Sequence, residues 1–271
     1  MIRVAFQGER GAFSEDAVIT FFSDAEIYPS RYFSDVFEAV SNDKVDFGVV
    51  PVENSQAGSI NDTYDLLLGY NLNIIGEINL RVSHCLMALP GESLSGVNTI
   101  YSHPQALAQC EVFLKKLKVE IVPGYDTAGS AKKIKEENLS GYAAVASRRA
   151  AQIYGLEILA EDIQTNANNY TKFFVISKQK ATPALKNKTS LIFSTKNIPG
   201  ALYDSLGAFA TRGINLIKLE SRPSRDKPWE YIFYVDFEGH IDDDICQEAI
   251  ADIKQRTNFI KILGSYPRAK D

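Results

Sequence analysis

The run Asn168-Asn169-Tyr170-Thr171-Lys172-Phe173-Phe174 places a hydroxyl and an ammonium at the entrance of an apolar strand, Phe173-Phe174-Val175-Ile176. A Thr-Lys pair so placed offers one hydroxyl and one ammonium to whatever lies in a cleft beside it, or is simply the polar entry of an edge strand. Four other places, Gly11–Ser14, Asn54-Ser55, Ser102–Gln105 and Asp126–Ser130, join hydroxyl or amide side chains to a helix start. Helix N-termini expose unpaired N–H groups and a positive dipole end, which suits carboxylates. Plain N-capping accounts for any one of them. All four together, at the C-terminal ends of predicted strands, lie where open α/β sheets bind ligands, so the expectation is an anion-binding cleft. The Gly8–Gly11 loop has neither the GK[ST] element nor the dinucleotide glycine spacing.

These turns need elements to hold them. Strand Val4–Phe6 leads to Ser14 as an N-cap and a helix over Glu15–Phe22 with Ala17, Val18, Phe21 and Phe22 on one face. A second helix starts near Ser34-Asp35, with Glu38 as capping-box partner of Asp35. Strand Val45–Val50 stops at Pro51, and a helix runs from Ile60 to Leu68. Asn73–Leu89 is extended and too long for one ordinary strand, so it crosses between lobes. A second α/β set follows, with Pro104 opening a helix that carries Leu107, Cys110, Leu114 and Leu117 on one stripe. Alternating strands and helices argue for two α/β lobes with largely parallel sheets and a cleft between them. The expected boundaries are residues 1–180, divided into about 1–78 plus 165–180 and 79–164.

Residues 189–267 read as a separate domain of order βαββαβ, the ferredoxin-like unit. Its strands cover Ser190–Ser194, Ile214–Glu220, Tyr231–Phe237 and Phe259–Leu263, with a turn at Pro223–Trp229 and helices at Ala201–Thr211 and from Asp242 to Lys254.

Composition narrows the function classes. With 29 basic and 34 acidic residues the net charge is −5, and no Lys/Arg block forms a stripe, which argues against nucleic acid. No apolar run approaches the length needed to span a bilayer, and Met1–Phe6 runs straight into a strand without a signal sequence. Cys85, Cys110 and Cys246 are odd in number and far apart, while His84, His103 and His240 share no ligand spacing. The expectation is a cytoplasmic protein with no disulfide, metal or cofactor.

Taken in order, the motifs Gly11-Ala12-Phe13-Ser14, Val50-Pro51-Val52-Glu53-Asn54-Ser55, Ser102-His103-Pro104-Gln105-Ala106-Leu107, Asp126-Thr127-Ala128 and Asn169-Tyr170-Thr171-Lys172-Phe173 resemble those of monofunctional prephenate dehydratases. Gly200-Ala201-Leu202 and Glu220-Ser221-Arg222-Pro223 resemble the ACT regulatory domain that follows in that family. The resemblance spans nearly the whole chain and implies a periplasmic-binding-protein-like two-lobed catalytic domain. It also implies conversion of prephenate to phenylpyruvate, water and carbon dioxide, with Thr171 as the catalytic residue. Substrate contacts would come from Ser14, Asn54, Ser55, Ser102, Gln105, Thr127, Ala128, Lys172 and Phe173. L-Phenylalanine would bind at a subunit interface through Gly200, Ala201, Leu202, Glu220, Ser221, Arg222 and Pro223, in a homodimer or homotetramer. Two departures stand out. The family's usual Thr-Arg-Phe is Thr171-Lys172-Phe173 here, and lysine keeps the charge but loses the planar two-pronged donor. Lys172 is then a point charge or a structural residue. Tyr203 follows the ACT helix motif where an aliphatic is commoner.

Threonine is too weak an acid to ionise freely, so Thr171 would act by a hydrogen bond in the transition state or a relay from water. A second acid would repel a dianionic substrate, so Glu53 orients a donor or caps a helix, and His103 is a base or a turn cap. Two alternatives remain open: arogenate in place of prephenate, and a non-catalytic small-acid sensor.

Overall fold

The computed structural model describes residues 1–224 and 230–269, so residues 225–229 of the expected Pro223–Trp229 turn lie outside it. Two compact units are present: Met1–Thr63 with Ile78–Phe173, and Tyr64–Glu77 with Phe174–Asp271.

In chain order the first part contains β1 (Ile2–Gln7), α1 (Phe13–Phe21), β2 (Ala25–Ser30), α2 (Phe33–Ser41), β3 (Phe47–Asn54), β4 (Gly58–Ser59), α3 (Asn61–Gly69) and β5 (Asn73–Arg81). The next set is β6 (Cys85–Ala88), β7 (Thr99–Ser102), α4 (Pro104–Gln109), α5 (Glu111–Leu114), β8 (Glu120–Pro123), α6 (Thr127–Glu136), β9 (Tyr142–Ala146), α7 (Arg148–Tyr154) and β10 (Glu157–Ala160). The chain then enters β11 (Tyr170–Ser177). One sheet has the order β2-β1-β3-β11-β5 with β4 on β3, and a second has β10-β6-β9-β7-β8. Within β1, Val4, Ala5 and Phe6 are fully buried, as a continuous apolar run covered on both faces requires.

Several local expectations shift. Ser14 is not the N-cap: α1 starts at Phe13 after Ala12, which makes no side-chain cap. The Asp35 carboxylate accepts from the Tyr32 N–H (2.9 Å) and so caps α2 one turn earlier than the Asp35–Glu38 pairing would. β3 runs through Pro51 to Asn54. The long extended stretch breaks at Val82–His84 into β5 and β6. The second sheet is mixed, since β6 pairs antiparallel with both β9 and β10.

The remaining elements are β12 (Asn187–Thr195), α8 (Ala201–Ala210), β13 (Leu216–Pro223), β14 (Tyr231–Glu238), α9 (Asp244–Arg256) and β15 (Thr257–Pro267). Their antiparallel order β13-β14-β12-β15 is that of the βαββαβ unit. Alternation puts Leu191, Phe193, Phe233, Val235 and Phe237 on one face, against Phe209, Ala249, Ile250 and Ile253 of the helices. Inside the same unit, buried Lys188 meets Glu77 and Asp236 (3.1 Å). Burial alone would lower the Lys188 pKa, but Asp236 and Glu77 outweigh it and hold the ammonium above its ordinary value. Cys85, Cys110 and Cys246 are free and buried, and burial pushes the Cys110 thiol up to about 12. Among the described residues no helix is long and apolar enough to cross a membrane.

Candidate active site

A cavity of about 490 Å³ lies within the first unit, lined by residues from both sheets and their turns. A buried wall is made by Asn54, His84 and Thr171, at 4%, 2% and 9% exposure, beside Phe13, Val82 and Phe173. Arg31, Tyr32 and Tyr125 form its exposed rim.

The deep wall is a directional chain of amides. The Asn54 Oδ1 accepts from the backbone N–H groups of Gln56 and Ala57, both at 3.0 Å. Those two donors settle which end of the Asn54 amide is oxygen. Its Nδ2 therefore donates, with Asn169 Oδ1 at 2.9 Å, Thr171 Oγ1 at 3.0 Å and the Tyr170 carbonyl at 3.2 Å. Asn169 Nδ2 in turn donates to Gln109 Oε1 (2.9 Å), whose own Nε2 donates back to Asn54 Oδ1 (3.4 Å). Gln109 Oε1 also lies 2.8 Å from His84 Nε2. An oxygen there can only accept, so His84 carries its proton on Nε2. Its Nδ1 has no hydrogen-bond partner among the described residues, and the ring packs edge-on against Phe13 at 5.4 Å. Burial lowers the His84 pKa, only partly offset by the Gln109 bond, so the ring stays neutral.

The chemical consequence concerns Thr171. Because its oxygen accepts from Asn54, the hydroxyl proton is left to donate into the cavity. An accepted hydrogen bond also makes that proton a better donor, since chains of hydrogen bonds polarise one another.

The expected residues divide. Ser14, Asn54, Gln105, Thr127, Thr171 and Phe173 line the cavity. Ser55, Ser102, Ala128 and Lys172 are not among its lining residues. Ser55 is a stitch instead: its hydroxyl donates to the Asn168 carbonyl (3.2 Å) and accepts from the Tyr170 N–H (3.0 Å), tying the β3 turn to β11. The buried Ser102 hydroxyl donates to the Val145 carbonyl at 2.6 Å. Ala128 is fully buried in the first turn of α6. On β11, side chains alternate between faces, so Thr171 and Phe173 point one way and Lys172 the other, 4.0 Å from Glu53. The Asn54 turn and Thr171 meet across the β3–β11 neighbours of the first sheet.

His103 Nδ1 accepts from the Gln105 N–H (3.2 Å), the turn-cap alternative. Asp126 caps α6 through the Gly129 N–H and also accepts from the Glu9 N–H (3.1 Å), while burial pushes its carboxyl upward. Gln109, His84 and Arg31 escaped the sequence reading. Gln109 sits one helical turn after Gln105, and that i, i+4 spacing was the available signal. His84 follows Val82 by two, which is strand alternation carried through the break. Arg31 lies in a bend after β2 with no motif around it.

Residues 4–181 match the family model for prephenate dehydratase, and residues 189–255 match that for the ACT domain. The chain belongs to the prephenate dehydratase family. It is a dehydratase, a carbon–oxygen lyase, with an ACT regulatory domain. The chain is 46% identical to "Arogenate dehydratase/prephenate dehydratase 2, chloroplastic" of Arabidopsis thaliana, over 98% of this chain and 73% of the relative. Among solved structures it resembles "GqqA- a novel type of quorum quenching acylases", at 34% identity and TM-score 0.90, covering 98% of both chains. It also resembles the prephenate dehydratase of Arthrobacter aurescens in complex with L-Phe, at 32% identity and TM-score 0.91, covering 99% of this chain and 90% of that one.

Proposed function

We propose that the chain converts prephenate to phenylpyruvate, with Thr171 as the hydrogen-bond donor to the departing hydroxyl. The observation that carries this is the Asn54-to-Thr171 bond, which commits the Thr171 oxygen as acceptor and frees its proton toward the cavity. In the reaction the bond from the ring to its carboxylate breaks and carbon dioxide leaves. That electron pair enters the ring, and the carbon–oxygen bond opposite breaks. The hydroxyl takes up one proton, supplied from water through Thr171, and departs as water. The ring carboxylate sits best where it is poorly solvated, beside Phe13, Val82 and Phe173, because losing its charge as carbon dioxide then relieves a desolvation cost. Gln105, Thr127 and Ser14 are the remaining polar contacts.

The test is turnover of prephenate by the purified protein, followed as phenylpyruvate. Thr171→Ala is expected to lower kcat about a hundred- to thousandfold, the range for losing one transition-state donor, and Thr171→Ser to retain most of it. A wild type inert toward prephenate, or a fully active Thr171→Ala, would overturn the reading.

For the ACT domain we propose an L-phenylalanine site shared between two copies of the chain. Gly200 follows β12 in the left-handed region (φ +83°), and Ala201 and Leu202 open α8. Glu220, Ser221, Arg222 and Pro223 lie on β13, where Glu220 meets Lys218 (3.0 Å) and Arg222 meets Asp65 (2.8 Å). Ladder register aligns Ser194 with Ile232 and Ile232 with Arg222, so both motifs reach the same end of the sheet, two strands apart. Two strand spacings amount to about 10 Å, more than one amino acid's backbone spans. The edge strand β13 of a neighbouring copy can close that gap, giving a homodimer or homotetramer. Tyr203, 80% exposed beside the motif, is available to such a partner. A cytoplasmic location fits three free, buried cysteines.

A further inference from the structure

The cavity's charges are unevenly distributed. Among the described residues that line it, Arg31 is the one Lys or Arg, while Asp62 and Asp126 are acids. Arg31 also differs from every other arginine of the first unit. Arg3 pairs with Asp46, Arg10 and Arg149 with Glu15, Arg81 with Asp162, and Arg148 with Glu161. The Arg31 guanidinium instead lies over two aromatic rings, Tyr32 at 5.3 Å and Tyr125 at 5.6 Å. The Tyr125 hydroxyl donates to the Arg31 carbonyl, which fastens the rim at the same residue. Stacking on aromatic faces positions a guanidinium without neutralising it, so its five donors remain available to an anion.

The deep wall around Thr171 contains amides, a neutral histidine and apolar side chains, and Lys172 faces away from it. A dianionic ligand whose reacting ring occupies that wall must place its second carboxylate elsewhere, and among the described lining residues the rim guanidinium is the one Lys or Arg side chain that can meet it. We infer that Arg31 binds the side-chain carboxylate of the substrate and sets the preference for a side chain bearing a keto group over one bearing an ammonium. This rests on the dehydratase reading above. Prephenate presents its carboxylate next to a neutral keto oxygen, which can share the guanidinium's planar fork. Arogenate presents the same carboxylate next to an ammonium, which the guanidinium repels at that short range. Arg31 thus adds more to binding of the first than of the second.

The experiment compares kcat/KM for prephenate and for arogenate in the full-length wild type, Arg31→Gln and Arg31→Lys, at low and at high salt. Arg31→Gln is expected to lower the prephenate-to-arogenate ratio by about tenfold or more, roughly the 1.4 kcal/mol that separates one decade. The change should fall mainly in KM and shrink at high salt, because the rim is solvent-exposed and screened. Arg31→Lys should recover part of the ratio, since it keeps the charge and loses the fork. An unchanged ratio in Arg31→Gln, with wild-type turnover intact, overturns the assignment of Arg31 alone. A wild type that turns over neither compound overturns the dehydratase reading, and the inference falls with it.

Discussion

At the scale of single residues, charge placement in this protein follows burial more than sequence neighbourhood. Asp16 on α1 is the clearest case: burial pushes its carboxyl up to about 6 from an ordinary 3.8, against the pull of Arg149 and with a smaller upward push from Glu15. A carboxyl raised on folding binds a proton more tightly in the native state. Its contribution is therefore present below pH 3.8 and lost as pH rises through about 6. A shift of that size corresponds to about 3 kcal/mol at most. The side chain keeps 29% of its exposure, which reduces the effect to about 1–2 kcal/mol. Asp16→Asn is therefore expected to raise the denaturant midpoint at pH 8 and to give no gain at pH 4. Arg149 still keeps Glu15 at 3.0 Å in that variant. Equal effects at both pH values would show that Asp16 acts by packing instead. Lys172 illustrates the same point from the other side. As a residue type it suited a substrate contact, yet its position on β11 turns it toward Glu53.

At the scale of elements, the site depends on how closely α7 approaches the loop before α1. Gly11 has φ +88°, and a Cβ there would sit 2.7 Å from the Ala150 Cα. The Ser147 hydroxyl closes the same contact by donating to the Gly11 carbonyl (2.6 Å) while accepting from the Ala150 N–H (3.0 Å). Gly11→Ala meets both a left-handed backbone and a backbone collision, a combination expected to cost about 2–3 kcal/mol or more. Thermal unfolding should show this directly, and Thr171-dependent turnover should fall with it because the cavity-lining Phe13 and Ser14 follow two and three residues later. A variant as stable as wild type would mean that α7 can retreat. Ser147→Ala removes the hydrogen bonds without the collision, and should cost only about 1–3 kcal/mol.

At the scale of the whole molecule, the ACT sheet ends in an open edge. β13 is terminal in its sheet, and Leu219 on it is 45% exposed. An edge strand with exposed apolar side chains is a template for pairing with another copy. For the shared assembly proposed above, Leu219→Glu is expected to leave a monomer in light scattering where the wild type associates. Phenylalanine binding by calorimetry should be lost together with the assembly, while basal prephenate turnover persists. That coupled loss is what a shared effector site requires, because a ligand shifts only an equilibrium whose two states it binds differently. A monomeric wild type that still binds phenylalanine would rule out the shared site.

What the sequence determined by itself is most of the elements and their order, although local signals did not mark β2, β4 or β10. Apolar periodicity, capping residues and prolines are local signals, and they marked both α/β lobes, the βαββαβ domain and the turns at which polar side chains collect. Those turns, together with the family resemblance, pointed to Thr171, Asn54, Ser14, Gln105, Thr127 and Phe173, which reach the cavity, and to Ser55, Ser102, Ala128 and Lys172, which do not line it. Local signals also misled where two explanations shared one pattern, as when Ser14 looked like a cap and proved to be inside α1. The tertiary structure alone decided which side chains meet. Asn54 and Asn169 are 115 positions apart, and only the pairing of β3 with β11 brings them to 2.9 Å. Gln109 and His84 come to that junction from α4 and from the break between β5 and β6, and Arg31 reaches the rim from a bend. Spacing along a chain encodes which face of an element a residue occupies. It does not encode what lies opposite that face, and the chemistry of this cavity resides in those oppositions.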